Sequence, residues 1–225
     1  MIKVENLNVW GFEHAIRGMR NPLNSWDKSD SIKCYANRNC SGICNNNKCG
    51  LCIGSNDLDL MKRLYKAGTE HRKYLRQIVV SMDITAPLYW WKEFDTYTVG
   101  VTKNSCSTMH KIAAKPFEWE DFSVEHMLGD AEGMNGIHVT KIVMRHVMET
   151  LNYYRDLYNK TKNKEYWWQL IQLLPSSYNQ RRTVSMNYEN VVTIIKQRSG
   201  HKLDEWNDLI KVLKELPYIV EITGG

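Results

Sequence analysis

The sequence lacks the features that mark a membrane protein, a repeat protein or a nucleic-acid-binding arm. Its longest apolar stretch, QIVVSMDITAPLYWW, is interrupted by Asp83 and Pro87 and is shorter than the roughly 20 residues that a membrane-spanning helix requires. It has no internal repeat and no low-complexity linker, and its Lys and Arg residues are scattered instead of forming blocks. We therefore expect neither a membrane partner nor dedicated nucleic-acid binding.

A secretion signal is also missing, because MIKVENLNVWGFEH has no basic segment followed by an apolar one. The sequence thus predicts a cytoplasmic protein. Of its 225 residues, 43% are hydrophobic and 24% are charged, which is the composition of a globular protein. The length suits one domain over residues 1–225. The net charge of +5 is explained either by a mildly basic, solvated surface or by binding of small anionic ligands.

The order of predicted elements indicates an α+β fold. The first residues predict a strand with a bend at Gly11, and the alternation of Ile78, Val80, Met82 and Ile84 predicts a second strand. Six further segments have helical patterns. The first is capped by Asp57 and ended by Gly68, the second starts at Ala86-Pro87, the fourth stops before Pro175 and the fifth covers NYENVVTIIKQR. The third and sixth have clear apolar sides, formed by Ile142, His146, Met148, Leu151 and Leu157 in the third and by Leu203, Trp206, Ile210 and Leu213 in the sixth.

Five of the six cysteines fall within CYANRNCSGICNNNKCGLC, whose lack of periodicity predicts an inserted loop at about residues 31–54. Thiolates at such short separations can converge on tetrahedral zinc. The same thiolates can instead hold an iron–sulfur cluster, or stay reduced or disulfide-linked, so these alternatives remain open. The expected metal ligands are Cys40, Cys44, Cys49 and Cys52, with Cys34 as the substitute.

The order and spacing of motifs over most of the chain resemble those of ThyX-type flavin-dependent thymidylate synthases. The motifs that carry this resemblance are AIRGMR, Gly68 with His71, the strand QIVVSMDI, Ala86-Pro87, Leu174-Pro175, Asn187 and Arg198. The resemblance implies a divergent, phage-borne relative of this family.

The resemblance implies a ThyX-like fold with an antiparallel sheet and a helical half, and a homotetramer with nucleotide sites between subunits. It also implies methylation of dUMP to dTMP, with methylenetetrahydrofolate as carbon donor, NADPH as reductant and FAD as hydride carrier. The implied site residues are Ser107 in catalysis, Ser105, Ser107, Arg198 and Glu93 in nucleotide binding, and Asn187, Tyr97 and His71 in cofactor binding.

Several signature residues of the family are altered. Its RHR motif falls on Thr96-Tyr97-Thr98, its S-x-R-Y motif on Ser107-Thr108-Met109-His110, its strand histidine on Gln77, and two further arginines on Ile171 and Glu189. Each charge-assisted hydrogen bond that is lost removes about 1.5 to 3 kcal/mol of binding free energy. A carboxylate at Glu189 is expected to repel a phosphate. The candidates for replacement contacts are Arg17, Arg20, Arg181 and Arg182.

The same residues can also serve the local structure of the chain. Ser107 can cap a helix that begins at Thr108, and Arg198 can interact with a helix dipole. In a helical segment, Cys106 and His110 would share one face, where the imidazole could activate the thiol. Glu93 is expected either to hydrogen-bond a base edge or to lie on a solvated helix face.

Three functions therefore remain open. The first is an active ThyX-like synthase. The second is a catalytically inactive protein on the same fold that binds or sequesters a nucleotide. The third is a metal-stabilised interaction module, which depends on the cysteine-rich segment alone.

Overall fold

The computed structural model describes residues 2–33, 50–128 and 140–224. Contacts within the chain define two compact units made of interleaved segments. The helical unit comprises Met1–Lys3, Thr85–Thr96 and Ser105–Arg182, and the mixed unit comprises Val4–Ile84, Tyr97–Asn104 and Thr183–Gly225. The two units are defined by contacts and not by independent folding, so one domain over residues 1–225 stays a prediction.

The described residues form six strands and nine α-helices. The strands are β1 (Lys3–Trp10), β2 (Ile32–Lys33), β3 (Leu51–Cys52), β4 (Val79–Pro87), β5 (Thr102–Ser105) and β6 (Asn179–Asn187). The helices are α1 (Phe12–Arg20), α2 (Ser55–Lys66), α3 (Leu88–Phe94), α4 (Thr108–Lys111), α5 (Thr140–Thr161), α6 (Lys164–Leu173), α7 (Tyr188–Arg198), α8 (Asp204–Lys214) and α9 (Ile219–Thr223). None of these helices is long and apolar enough to cross a membrane.

The principal sheet has the strand order β1-β4-β6-β5. Hydroxyl contacts give the direction of the central pair, because Ser81 Oγ lies 2.8 Å from Ser185 Oγ and Thr183 Oγ1 donates to Asp83 Oδ1 at 2.6 Å. Residue numbers rise on β4 as they fall on β6, so this pair is antiparallel. The predicted α+β class with an antiparallel sheet is confirmed.

The buried face of β4 is the one that its sequence predicts. Val80, Met82 and Ile84 are at most 1% exposed, whereas Val79 is 37% exposed. The sequence did not predict β6. Its residues, NQRRTVSMN, include only two buried hydrophobic ones, Val184 and Met186, which is too few to show an alternating pattern. Short polar strands such as β5 carry even less periodic signal.

β1 and α1 are joined at Gly11, as the sequence predicts. Gly11 has φ 96°, and a Cβ there would lie 2.0 Å from the carbonyl oxygen of Gln77, so only glycine fits. Phe12 then enters the core of the mixed unit, where its ring packs edge-on against Tyr188 and Tyr218 at 5.6 and 5.8 Å. On α8 the predicted stripe is largely confirmed: Trp206, Ile210 and Leu213 are buried.

The sequence predicts that Asp57 caps α2, but this is wrong. Asp57 is buried inside the first turn of the helix. The capping role belongs to Asp30, whose carboxylate accepts hydrogen bonds from the backbone N–H groups of Asn56 and Asp57 at 2.9 and 3.1 Å. The predicted end of the helix is correct, because α2 ends at Lys66 and Gly68 follows with φ 106°.

The carboxylate of Asp57 accepts five hydrogen bonds. Arg20 Nε donates to one oxygen at 2.6 Å, and the other oxygen accepts from the side chains of Ser29 and Ser31 and from the backbone N–H groups of Asp30 and Ser31. Burial alone would raise the pKa of Asp57, but the hydrogen bonds from Ser31, Ser29 and Arg20 outweigh it and hold the pKa below its ordinary value.

In the helical unit, α5 and α6 pack against each other, and α6 ends before Pro175 as predicted. The apolar side of α5 is confirmed at Leu151, which is buried, and at Met148, which packs against the core. It differs from the prediction at Ile142 and His146, which are exposed, and at Met144, which is buried instead. The start of α3 also differs, because β4 continues through Pro87 and the helix begins at Leu88. The core cluster beside α5 and α6 contains Ile112, Ala113, Phe117, Phe122, Met144, Leu151 and Leu170.

The described ends of the cysteine-rich segment form a small hairpin. Ile32 pairs with Cys52 and Lys33 with Leu51 in an antiparallel arrangement of β2 and β3. The predicted insertion and the cysteines Cys34, Cys40, Cys44 and Cys49 lie outside the described residues.

Replacing Asp57 by Asn should lower the free energy of unfolding by about 3 to 5 kcal/mol, because it leaves the buried Arg20 guanidinium without its counter-charge. The matched control is Asp59→Asn on the same helix, where an exposed pair with Arg63 is broken. The control should lose less than about 1 kcal/mol. Chemical denaturation at pH 7 measures both values.

The pH dependence gives the same experiment a second result. A depressed carboxyl pKa contributes stability that is present above the ordinary value of 3.8 and is lost as the pH falls through the folded-state pKa. The difference between wild type and Asp57→Asn should therefore shrink at acidic pH. A difference that is equal at pH 7 and pH 3, or equal effects of the two substitutions, would contradict the assigned role of Asp57.

Candidate functional site

The N-terminus of α7 holds the segment that precedes β5. Asn187 caps α7 by accepting from the backbone N–H of Asn190 at 3.1 Å, and Asn190 accepts in return from the backbone N–H of Asn187. The amide of Asn190 also donates to the carbonyl of Val99 at 2.8 Å. Gly100 has φ 73° and passes so close that a Cβ would lie 2.8 Å from Asn187 Nδ2. Asn187, a predicted cofactor residue, therefore fixes the path of residues 97–103.

The structure brings two further predicted residues, Tyr97 and Arg198, into direct contact. Arg198 Nε donates to the Tyr97 hydroxyl at 3.1 Å, and that hydroxyl donates to Gln197 Oε1 at 2.9 Å. Lys103 Nζ donates to the carbonyl of Tyr97 at 3.0 Å. Tyr97 and Arg198 thus meet at the C-terminal end of α7, whereas Asn187 lies at its N-terminal end.

The guanidinium of Arg198 is oriented by aromatic rings. Its Cζ lies 4.6 Å from the ring centre of Trp206, which is fully buried, and 5.7 Å from that of Tyr97. Stacking of this kind fixes the plane of a guanidinium and keeps its N–H groups in one direction. The predicted helix end is also confirmed, since Arg198 is the last residue of α7.

His201 is a neighbour of Arg198 that the sequence motifs did not identify. Its Nδ1 accepts from the backbone N–H of Leu203 at 3.1 Å, so the neutral ring carries its proton on Nε2. That Nε2 lies 3.4 Å from Arg198 Nη1. The imidazole and the guanidinium therefore adjoin each other just beyond the end of α7.

Glu189 is not the isolated repulsive charge that the sequence suggested. Its carboxylate accepts two-pronged hydrogen bonds from Arg72, with Nη2 to Oε1 at 2.7 Å and Nε to Oε2 at 3.0 Å. Both side chains are less than 20% exposed, and the guanidinium of Arg72 lies over the ring of Tyr65. His71 is exposed beside this pair. The negative charge of Glu189 is therefore balanced within the protein.

Ser105, Ser107 and Glu93 belong to the helical unit, whereas Tyr97, Asn187 and Arg198 belong to the mixed unit. Ser107 caps α4 by accepting from the backbone N–H of His110 at 3.1 Å, which confirms its expected capping role. Ser105 is exposed at the end of β5, and the carbonyl of Glu93 accepts from Thr96. The predicted nucleotide and catalytic roles of these side chains remain predictions.

The suggested partnership of Cys106 and His110 loses its geometric basis. Cys106 precedes the Ser107 cap, and α4 begins at Thr108, so the two residues do not share a helical face. Cys106 is an exposed free thiol whose backbone N–H donates to the carbonyl of Arg181.

Two of the four arginines that are candidates for replacement phosphate contacts form ion pairs with carboxylates of the protein itself. Arg20 is buried against Asp57. Arg182 donates to both oxygens of Asp95, at 2.8 and 3.1 Å, and stacks over the ring of Trp91 at 4.2 Å. Arg17 and Arg181 are exposed.

The described residues contain no cluster of His, Cys, Asp or Glu that could hold a metal ion. Cys52, the described member of the predicted ligand set, is disulfide-bonded, and a sulfur in this state does not act as a thiolate ligand. The other predicted ligands lie outside the described residues, so the zinc and iron–sulfur hypotheses remain untested.

The fold is that of ThyX-type flavin-dependent thymidylate synthases. Two crystal structures of ThyX from Helicobacter pylori, each with FAD and dUMP, are similar to this chain with a TM-score of 0.64 and 18% identity. They cover 98% and 97% of this chain and 96% of their own chains. No protein-family model and no curated protein matches the sequence.

The pair between Arg72 and Glu189 should show a coupling energy of about 1 to 3 kcal/mol in a double-mutant cycle with Arg72→Met and Glu189→Gln. The coupling should be this large because both charged side chains are mostly buried and are hydrogen-bonded to each other, so water weakens their attraction little. Urea denaturation of the wild type, the two single variants and the double variant measures this coupling.

The matched control is the exposed pair of Lys211 and Asp208 on α8, tested with Lys211→Met and Asp208→Asn. Its coupling should be below about 0.5 kcal/mol. A coupling at Arg72 and Glu189 as small as that of the control would show that the two charges do not stabilise each other.

Proposed function

We propose that this protein binds a pyrimidine nucleotide of the dUMP type through the region around Arg198. The observation that carries the proposal is the position of the Arg198 guanidinium, which lies over Trp206, donates to Tyr97 and adjoins His201. The ThyX-like fold supports the choice of ligand, since both Helicobacter pylori structures contain dUMP.

Binding is assigned to Arg198 because the protein already holds its guanidinium in place before a ligand binds. A flexible arginine loses side-chain entropy when it grips a ligand, whereas a stacked guanidinium has already lost much of this freedom during folding. Arg198 is stacked on Trp206 and bonded to Tyr97, so more of the charge-assisted hydrogen-bond energy with a phosphate remains as affinity.

The residues at the predicted flavin positions do not fit the diphosphate of FAD. Thr96 donates to the carbonyl of Glu93, and the Tyr97 hydroxyl is engaged with Arg198 and Gln197. Asn187 is used as a helix cap. A ligand that needed these groups would first have to break bonds within the protein. We therefore derive no reaction step through a flavin and favour nucleotide binding without the redox reaction.

The second candidate is the complete synthase, which would methylate dUMP to dTMP with methylenetetrahydrofolate, NADPH and FAD. Fold similarity over nearly the whole chain to ThyX structures that contain FAD and dUMP favours it. Under either proposal the protein is a cytoplasmic homotetramer. The contact of Ser107 with a nucleotide and the phage origin stay predictions.

Replacing Arg198 by Met should weaken dUMP binding about 10- to 100-fold, because one charge-assisted contact of about 1.5 to 3 kcal/mol is lost. Isothermal titration calorimetry at one fixed salt concentration measures the affinity. Arg145→Met, at an exposed position on α5, is the matched control and should leave the affinity unchanged.

Both variants are first compared with the wild type by thermal unfolding without ligand. His201→Gln, which keeps a side-chain N–H donor, should weaken binding less than His201→Ala. Equal dUMP affinities for the wild type and a folded Arg198→Met would overturn the assignment of this region.

Colour and turnover separate the two candidate functions. We expect the purified protein to lack the visible absorption bands of a flavin, and we expect no oxidation of NADPH in the presence of dUMP and methylenetetrahydrofolate. Added FAD should not change the melting temperature, because the signature residues are engaged with one another. A yellow protein with dUMP-dependent NADPH oxidation would instead establish the synthase.

A further inference from the structure

The turn between α5 and α6 carries a cleft with an unusual lining. Its cavity of about 410 Å3 is lined by Met109, His110, Tyr158, Lys162, Lys164 and Trp167, and we call it the Lys-Trp cleft. This volume lies within the range of about 300 to 1,000 Å3 that small-molecule sites occupy. All of its residues belong to the helical unit, whereas Arg198 and His201 belong to the mixed unit.

The aromatic side of the Lys-Trp cleft has a fixed orientation. Trp167 Nε1 donates to the carbonyl of Met109 at 3.1 Å, so the indole ring is anchored at its polar edge. Trp168 packs edge-on against Trp167 with ring centres 4.8 Å apart and is 42% exposed. Trp167 itself is partly buried against the core cluster of the helical unit and also lines the cleft, so the ring is held from behind.

The cationic side comes from the two lysines of the turn. Lys162 Nζ lies 5.4 Å from the ring centre of Tyr158, and Lys164 Nζ lies 5.8 Å from that of Trp168. Neither ammonium forms an ion pair with a carboxylate in the described part of the chain. The nearby acid is Glu165, which accepts a long hydrogen bond from Asn163 at 3.5 Å.

The backbone at Lys162 points to a role for its side chain. Lys162 directly follows α5 with φ 58°, in the left-handed region where glycine is favoured, and its N–H donates to the carbonyl of Tyr158 at 2.7 Å. A lysine at such a position carries a conformational penalty that glycine would avoid. The lysine places an ammonium group over Tyr158 at the cleft.

We propose that the Lys-Trp cleft binds a nucleotide unit, with the base stacked on its aromatic rings and the phosphate paired with Lys162 and Lys164. Aromatic rings beside ammonium groups are the combination that recognises a base together with its phosphate. The unit comes either from a free nucleotide or from a single-stranded nucleic acid, since both present the same chemistry. This site is separate from the one around Arg198.

Quenching of tryptophan fluorescence tests the proposal with three probes: deoxyadenosine, dAMP and the oligomer (dA)10. We expect dAMP or (dA)10 to quench saturably and deoxyadenosine to bind at least about tenfold more weakly than the better of them, because it lacks a phosphate. An affinity for (dA)10 more than about tenfold above that for dAMP identifies a single strand as the ligand, and a smaller ratio identifies a free nucleotide.

The lysine variant Lys162→Gln/Lys164→Gln should lower the affinity for the better probe at least about tenfold. The matched control is Lys196→Gln/Lys214→Gln, which removes two exposed lysines of the mixed unit and should have no effect. Trp167→Leu, which keeps an apolar side chain, should abolish most of the quenching, and thermal unfolding verifies that each variant is folded.

Two outcomes would overturn the proposal: no saturable binding of dAMP or (dA)10, or equal losses of affinity in the two double-lysine variants. Arg198→Met separates this site from the proposed dUMP site. Binding of dAMP or (dA)10 should persist in Arg198→Met, so a failure of dUMP binding around Arg198 leaves the Lys-Trp cleft to be judged on its own result.

Discussion

The buried ion pair of Arg20 and Asp57 is the constraint on which much of the mixed unit depends. A buried carboxylate is tolerated only when its oxygens are satisfied, and Asp57 achieves this by drawing together the end of α1, residues 29–31 and the first turn of α2. Residues 29–31 lead directly into β2, the start of the cysteine-bearing hairpin. The path of the chain toward that hairpin is therefore set by one carboxylate.

Local patterns predicted those parts of the fold whose cause is local. β4 was evident because apolar and polar residues alternate along it, and the bend at Gly11 was evident because glycine is needed there. The role of Asp57 could not be predicted in this way, since its partner Arg20 is 37 residues away. β6 was missed because two consecutive arginines interrupt its apolar alternation.

The candidate site shows the same division between local and distant causes. Capping by Ser107 and the helix-end position of Arg198 follow from local sequence and are present. The sequence also showed that Glu189 replaces an arginine, but not that Arg72, 117 residues away, neutralises it. Counting charges at motif positions one by one therefore overstated the repulsion. His201 escaped notice because its relevance depends on the hydrogen bond from Leu203.

Residues at and near the signature positions stabilise the protein's own chain. Tyr97, Asn187 and Asn190 hold residues 97–103 against α7, and each hydrogen bond of this kind contributes about 0.5 to 1.5 kcal/mol. A ligand that displaced them would lose this energy for every bond it broke. Affinity at this place must therefore come from a group that does not depend on these hydrogen bonds alone for its position. Arg198 meets this condition, because its guanidinium also lies over the rings of Trp206 and Tyr97.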